Sequence, residues 1–201
     1  MATGLRFGPI GPRAKHLCVD MQGIFTGNSP WAMPWFERIL PNIHQLVALR
    51  PADSVFTRFI PADDPASAGG SWHRYYRRWP TMTLAHLDGD KLDLVPSLLR
   101  YVPPALVFDK RVYSPWCSGE LQAVLTQSGV DTLLISGGET DVCVLSSVLG
   151  AVDIGYRVIV VSDAVCSSSD AAHDAMQSFF GERLSQQVET AETAEIIEAW
   201  Q

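Results

Sequence analysis

Short apolar runs alternate with segments of helical periodicity along most of this chain. The apolar runs predict β-strands at 16–21, 54–59, 105–108, 132–136, 157–162 and, as the weakest of the six, 187–190. Apolar residues at three- and four-residue spacing predict helices at about 34–49, 119–128, 141–154, 169–180 and 193–200. Runs such as Val158-Ile159-Val160-Val161 are apolar on both faces, as strands covered by helices on both sides must be. The pattern therefore predicts an α/β fold built from βαβ units around a parallel sheet.

The helix predicted at 141–154 has an apolar face, which we expect to pack on the sheet and which comprises Leu145, Val148, Leu149 and Val152. The segment at about 61–104 breaks the alternating pattern, because prolines and glycines punctuate it. A long insertion of this kind usually has a function or forms an interface. No repeat or linker divides the chain, so we expect a single domain over 1–201 with an irregular insertion at about 61–104.

Composition and charge narrow the class of protein. The chain has 201 residues and a formal net charge of -7, which argues against nucleic-acid and acidic-membrane partners because both bind clustered Lys and Arg. The basic and aromatic cluster at 72–79 is better explained as a solvated helix face or a subunit contact than as a base-stacking platform. The four cysteines lack CxxC and zinc-ligand spacing. The sequence also shows neither a signal-peptide pattern nor an apolar run of about 20 residues. We expect a cytoplasmic protein with reduced thiols.

Polar residues follow three of the predicted strands. Asp20 ends the first, Lys110 follows the third, and Cys143 begins the helix after the fourth. Ligands of open parallel sheets bind beyond the carboxyl ends of the strands. A helix N-terminus favours negative charge, so the Cys143 thiol is expected to ionise easily there. Asp20 could then take the thiol proton and Lys110 could stabilise the thiolate, while the backbone amides of Glu139 and Cys143 face a developing oxyanion.

Each of these residues also has a simpler explanation. Cys143 could be a small buried hydrophobic residue, Asp20 could cap a turn, and Lys110 could be a solvated loop lysine. The pattern alone leaves these alternatives open.

Three separated motifs resemble the isochorismatase-like cysteine hydrolases. The motifs are Leu17-Cys18-Val19-Asp20-Met21-Gln22 with Phe25, Phe108-Asp109-Lys110-Arg111-Val112-Tyr113-Ser114, and Gly137-Gly138-Glu139-Thr140-Asp141-Val142-Cys143-Val144. The resemblance runs from about residue 15 to the C-terminus. It implies a three-layer α-β-α fold with a six-stranded parallel, Rossmann-like sheet, and assembly into a homo-oligomer, either a dimer or a tetramer.

The resemblance also implies roles for individual residues. By motif, the catalytic triad of the family falls on Asp20, Lys110 and Cys143. The oxyanion hole falls on Glu139 and Cys143, with a cis peptide bond between Gly138 and Glu139. Family members mostly hydrolyse an amide or carbamoyl C–N bond through a thioester. Isochorismatases proper cleave a vinyl ether without a cysteine nucleophile, so Cys143 favours amidohydrolase chemistry.

One departure from the family concerns metal binding. Nicotinamidases carry an Asp-x-His motif with further histidines after the second strand, where this chain has Thr57-Arg58-Phe59 with His73 nearby. With no cluster of ligands in the sequence, we expect no metal and no other cofactor, and nicotinamide is a less favoured substrate.

Residues on the predicted loops are candidates for substrate binding. Four aromatic residues are expected to wall a pocket, although core packing or a subunit contact would explain the tryptophans equally well: Phe25, Trp72, Tyr113 and Trp116. Arg58 could pair with a substrate carboxylate or, alternatively, with Asp63 or Asp64. Gln22 could donate a hydrogen bond to the site or brace Asp20.

The favoured interpretation is a metal-independent cysteine hydrolase that acts on a small amide or carbamoyl compound. Three alternatives stay open: a non-hydrolytic or redox-sensing binding protein on the same scaffold, which could sense oxidants through a low-pKa thiol, an isochorismatase-type vinyl ether hydrolase, and a nucleic-acid binder that uses the cluster at 72–79. The last of these would require affinity that falls steeply with salt.

Overall fold

The computed structural model describes residues 4–200 and has a six-stranded, all-parallel sheet at its centre. The strands are β1 (Ala14–Val19), β2 (Ser54–Phe59), β3 (Leu106–Lys110), β4 (Thr132–Gly138), β5 (Arg157–Cys166) and β6 (Val188–Ala191). They lie in the order β3-β2-β1-β4-β5-β6. All six predicted strands are confirmed, with ends that differ from the prediction by at most four residues.

Eight α-helices accompany the sheet in the described part of the chain. They are α1 (Phe36–Leu49), α2 (Gly70–Arg78), α3 (Gly89–Leu92), α4 (Pro96–Leu99), α5 (Glu120–Gln127), α6 (Leu145–Ile154), α7 (Asp170–Ser178) and α8 (Thr193–Ala199). The five predicted helices correspond to α1 and α5 to α8. Single π-helical turns, Thr140–Val144 and Phe179–Arg183, precede α6 and follow α7.

The central strands contribute side chains to two separate cores, since successive residues of a strand point to opposite faces. Leu134 and Ile159 pack on the side covered by α1 and α8. Leu133 and Val160 pack on the other side, with residues from α5 and α6. This arrangement confirms the three-layer α-β-α fold. No helix in residues 4–200 is both long enough and apolar enough to cross a membrane.

The expectation of an irregular segment at 61–104 was wrong in one respect, because α2 to α4 lie within it. The cluster at 72–79 forms most of α2, and its aromatic residues repeat at helical spacing. Tyr76 is buried, and Trp72 packs on Phe59, whereas Arg74 and Arg77 are exposed. The prolines and glycines flank this helix instead of interrupting it. Its aromatic side packs against the core.

The predicted apolar face of α6 was only partly correct. Val148 is buried, but Leu149 is 39% exposed, and the sheet side of the helix also carries Ser147 and Ala151. These small side chains let the helix pack closely on the sheet. The Ser147 hydroxyl donates to the Cys143 carbonyl at 2.7 Å, so its burial leaves no unpaired donor. Hydrophobicity alone could not identify this face.

The strand register places the carboxyl ends of the central strands side by side. Val19 lies between Thr57 of β2 and Gly137 of β4, and Phe59 lies beside Lys110 of β3. The strand order changes direction between β1 and β4, which is the position where open α/β sheets form a ligand crevice.

Candidate active site

Asp20 lies at the end of β1 in an unusual backbone conformation. Its φ of 55° falls in the left-handed region, which is sparsely populated by residues other than glycine, although Asp tolerates it better than most. Its backbone N–H donates to the Thr57 carbonyl at 3.2 Å, and its side chain is completely buried. Strained residues of this kind concentrate at functional sites.

Gly137, near the end of β4, permits the close approach of β4 and β1. Its φ is 103°, and a Cβ atom built on it would lie 2.1 Å from the Val19 carbonyl oxygen. Only glycine satisfies both constraints. As a result, the chain that leaves β4 passes next to Asp20, and Cys143 lies close to the Asp20 side chain.

Lys110 joins the acid and the thiol. Its Nζ donates to Asp20 Oδ2 at 2.6 Å and to Cys143 Sγ at 3.3 Å. Thr57 donates its hydroxyl to the other carboxylate oxygen of Asp20, Oδ1, at 2.6 Å. Asp20, Lys110 and Cys143 are all buried. The simpler explanations are therefore excluded. The Asp20 side chain does not cap a turn, and Lys110 is not a solvated loop lysine.

The charges at this cluster favour a neutral thiol. Burial and then the Asp20 carboxylate raise the pKa of Cys143 well above its usual value, against the lowering effect of Lys110. Burial would lower the pKa of Lys110, but its interactions with Asp20 and Cys143 outweigh burial and raise it. The lysine is therefore an ammonium, and it lies beside a protonated thiol.

The expectation of an easily ionised thiol was therefore wrong. Cys143 lies in the π-helical turn Thr140–Val144, and its side chain is buried near the Asp20 carboxylate. The penalty for burying a second negative charge beside Asp20 exceeds any benefit from a helix start. The arrangement suits transfer of the thiol proton to Asp20 at the moment when sulfur bonds to an electrophile.

The segment that follows β4 has the backbone geometry that the resemblance implied. The Gly138–Glu139 peptide bond is cis. The carbonyl of Glu139 accepts hydrogen bonds from the amides of Val142 and Val144 at 3.1 and 3.0 Å, which fixes the turn that carries Cys143.

A small pocket lies beside Cys143. Its walls are mainly aromatic, and the lining residues are Phe25, Trp31, Phe59, Tyr75, Tyr113, Glu139, Val142 and Cys143. Of the six residues predicted to bind substrate, Phe25 and Tyr113 line this pocket.

Two predicted polar contacts to substrate were wrong, because both side chains are fully engaged elsewhere. Gln22 donates to the carbonyls of Phe59 and Leu92 and accepts from the Phe59 amide, so it ties the insertion to β2. Arg58 binds Asp109 at 2.8 and 3.0 Å and also pairs with Asp93. Neither Asp63 nor Asp64 is its partner. Gln22 and Arg58 are thus structural.

The two predicted tryptophans also lie outside this pocket. Trp72 lines a neighbouring groove, with its ring 4.7 Å from the ring of Tyr113. Trp116 donates its Nε1–H to the Ser147 carbonyl at 3.0 Å and stacks on Tyr156, on the α6 side of the sheet. For Trp116, core packing is the correct alternative.

Sequence reasoning missed Thr57, Trp31 and Tyr75. Thr57 had a usable signal, since it lies near the carboxyl end of the strand next to β1. Trp31 and Tyr75 had none, because their positions depend on how the loop after β1 and helix α2 fold over the site. No group of His, Cys, Asp or Glu in residues 4–200 is arranged to hold a metal ion, and metal independence stays a prediction.

Comparison with known proteins identifies the family. The family model described as Isochorismatase domain matches residues 15–193. The chain is 27% identical over 176 residues to maleamate amidohydrolase of Pseudomonas putida, covering 86% of this chain and 80% of that protein. It is 26% identical over 164 residues to N-carbamoylsarcosine amidase of Arthrobacter sp, covering 77% of this chain and 60% of that protein. The crystal structure of a cysteine hydrolase from Pseudomonas syringae pv. phaseolicola 1448A has the same fold, with a TM-score of 0.83 at 24% identity, covering 99% of this chain and 98% of that one. Since the family model spans most of the sequence, this protein is a hydrolase of the isochorismatase family.

Proposed function

We propose that this protein is a cysteine amidohydrolase that cleaves the C–N bond of a small amide or carbamoyl compound without a metal ion. One observation carries the proposal: Lys110 Nζ contacts both Asp20 Oδ2 and Cys143 Sγ at the edge of a small pocket. The relatives named maleamate amidohydrolase and N-carbamoylsarcosine amidase support the choice of an amide over a vinyl ether.

In the acylation step, the Cys143 sulfur attacks the substrate carbonyl as Asp20 takes the thiol proton. The S–C bond forms, and the carbonyl oxygen becomes an oxyanion that the backbone amides of Glu139 and Cys143 stabilise. The C–N bond then breaks, and the leaving nitrogen takes the proton from Asp20. A thioester on Cys143 and a molecule of ammonia or amine result.

In the deacylation step, a water molecule attacks the thioester and gives a proton to Asp20. The C–S bond breaks, the sulfur recovers this proton, and a carboxylic acid leaves. The Lys110 ammonium contacts both Asp20 and Cys143 and limits the negative charge that accumulates at the site. Thr57 fixes the rotation of the Asp20 carboxylate through its hydrogen bond to Oδ1.

A redox-sensing role is less favourable than hydrolysis. Oxidant sensors depend on an exposed thiolate, whereas Cys143 is only 5% exposed and its pKa is raised by burial and by Asp20.

The test is release of ammonia from a panel of small amides and ureido acids by the intact protein and by Cys143→Ala. We expect turnover by the intact protein only, together with a covalent mass increase on the Cys143 peptide after rapid acid quenching. Ammonia release by the Cys143→Ala variant at the normal rate would exclude the thioester mechanism. A Cys117→Ala variant is the matched control, since Cys117 is an exposed thiol that lines the neighbouring groove and not the pocket beside Cys143.

A further inference from the structure

Glu139 and Asp141 are anchored to the segment that connects β5 to α7. Ser167 donates its hydroxyl to Asp141 Oδ1, and the Ser168 backbone amide donates to Glu139 Oε1 at 3.3 Å. These two anchors lie on either side of the residue that begins the π-helical turn. Glu139 and that turn supply both backbone amides of the proposed oxyanion hole, so the anchors act on the hole through the main chain.

Thr140, between the two anchors, is completely buried and contacts His173 of α7. Its hydroxyl oxygen lies 2.9 Å from His173 Nδ1. The side chain of Gln177 determines which ring nitrogen of His173 carries the proton. Gln177 Nε2 donates to the Ser162 carbonyl at 3.0 Å, and this same amide nitrogen lies 3.5 Å from His173 Nε2. His173 Nε2 is therefore an acceptor, and the Nδ1–H group donates to the Thr140 hydroxyl.

His173 acts at a distance from the substrate, because it does not line the pocket beside Cys143. It lines a separate cavity, next to Trp35. Burial lowers the pKa of His173 despite the opposing effect of neighbouring aspartates. The ring is therefore uncharged at neutral pH and keeps an acceptor nitrogen for Gln177. Its route to the reacting atoms is the hydrogen bond to Thr140.

We propose that His173 is a positioning residue for the reaction of Cys143, because through Thr140 it fixes the turn whose backbone amides stabilise the oxyanion. The proposal rests on the proposed function, which assigns the oxyanion hole to Glu139 and Cys143. Oxyanion-hole donors are effective only when they are oriented before the reaction begins. The hydrogen bond from His173 to a buried hydroxyl provides this orientation without touching the substrate. Its loss should therefore lower kcat and leave KM nearly unchanged.

Two pairs of variants test this role. Thr140→Val removes the hydroxyl at nearly constant volume, whereas Thr140→Ser keeps it. His173→Leu removes the donor, whereas His173→Asn places an amide N–H group near the position of Nδ1. For the fastest substrate in the amide panel, we expect kcat to fall at least about tenfold in Thr140→Val and His173→Leu, less than the roughly 100–1,000-fold cost of losing a donor outright. KM should change by less than about twofold, and Thr140→Ser and His173→Asn should recover most of kcat.

Ser169→Ala is the matched control for a general loosening of α7. The Ser169 hydroxyl caps this helix by accepting from the Ala172 amide at 3.3 Å, a hydrogen bond within the first turn. We expect this variant to lower Tm but to keep kcat within about twofold of normal. If Ser169→Ala lowers kcat as much as His173→Leu does, the loss follows from helix stability and the positioning role is refuted. A normal kcat in Thr140→Val would refute it as well.

An aldehyde separates this inference from the proposed function, since it requires no amide. The Cys143 thiol adds to the carbonyl carbon of acetaldehyde: the S–C bond forms, the thiol proton passes to Asp20, and the carbonyl oxygen becomes an oxyanion in the hole. Iodoacetamide instead loses iodide as its methylene carbon bonds to sulfur, and no oxyanion forms. In His173→Leu, half-protection of the Cys143 peptide from iodoacetamide should require at least about tenfold more acetaldehyde. The alkylation rate without aldehyde should stay within about twofold of normal.

The two assays distinguish failure of the inference from failure of the proposed function. If no amide is hydrolysed but His173→Leu weakens protection by acetaldehyde, the proposed function fails and the positioning role stands. If amides are hydrolysed but neither kcat nor protection by acetaldehyde depends on His173, the positioning role fails and the proposed function stands. Unchanged protection by acetaldehyde in His173→Leu overturns the inference in either case.

Discussion

Removal of one member of the buried ion pair between Lys110 and Asp20 should destabilise the protein far more than removal of both. The two groups are 2.6 Å apart, with side-chain exposures of 5% and 0%. At an effective dielectric constant of about 20, their gross attraction is about 6 kcal/mol. The cost of desolvation is several kcal/mol for each ion, so the pair contributes little net stability. Loss of a single partner leaves an unpaired buried charge.

We therefore expect Lys110→Met to lower the free energy of unfolding by about 3–5 kcal/mol. For a domain of this size, that change corresponds to a fall of roughly 6–20 °C in Tm. Asp20→Asn should lower the free energy of unfolding by a similar amount, because it leaves the buried Lys110 ammonium without a negative partner. The double variant should recover at least about 2 kcal/mol relative to the sum of the single changes.

Urea unfolding followed by tryptophan fluorescence measures the free energy of unfolding of each single variant and of the double variant. The matched control is the Lys15–Asp53 pair, which has the same 2.6 Å separation but side-chain exposures of 22% each. Its coupling energy should be below about 1 kcal/mol. If the coupling between Lys110 and Asp20 is no larger than that of the control pair, the argument from burial is refuted.

Three further predictions concern the geometry of the site. Thr57→Val should lower kcat/KM by about 10–100-fold, since it removes a hydrogen bond to the Asp20 carboxylate. Thr57→Ser keeps the hydroxyl group and should retain activity. Equal losses of activity in both variants would contradict this role of Thr57. Gly137→Ala should cost more than about 3 kcal/mol in urea unfolding, because its Cβ would meet the Val19 carbonyl oxygen. Gly155→Ala, at a positive φ but in open space, should cost only about 1–2 kcal/mol, and similar costs would exclude the steric explanation. The rate of Cys143 alkylation by iodoacetamide should reach half its maximum well above pH 8.5, since the raised pKa keeps the thiol protonated at neutral pH. A midpoint below pH 8 would instead favour a protein that senses oxidants through a low-pKa thiol.

The strands were predictable because their signal is local. A strand covered on both faces must be apolar at consecutive positions, as in Val158-Ile159-Val160-Val161, and the sequence displays this directly. Asp20 and Lys110 were located by the same reasoning, since both lie at the carboxyl ends of such runs.

The lining of the pocket was much less predictable. Tyr75 belongs to α2, which the sequence pattern presented only as a basic and aromatic cluster, and Trp31 follows β1 in a loop without periodicity. Arg58 has the right position for a substrate contact, but Asp93 and Asp109 occupy its guanidinium from two other parts of the chain. Such pairings depend on the packing of the insertion against β2 and β3.

By itself, the sequence determined the order of strands and helices, the parallel sheet, and the acid, amine and thiol at its carboxyl edge. These features follow from the period of apolar residues and from the direction of parallel strands. Tertiary structure decided that the Cys143 thiol is neutral, that Arg58 is structural, and that aromatic rings and Glu139 surround the site. Protonation and charge pairing depend on burial and on distances of a few ångströms between distant segments, and no local pattern encodes those distances.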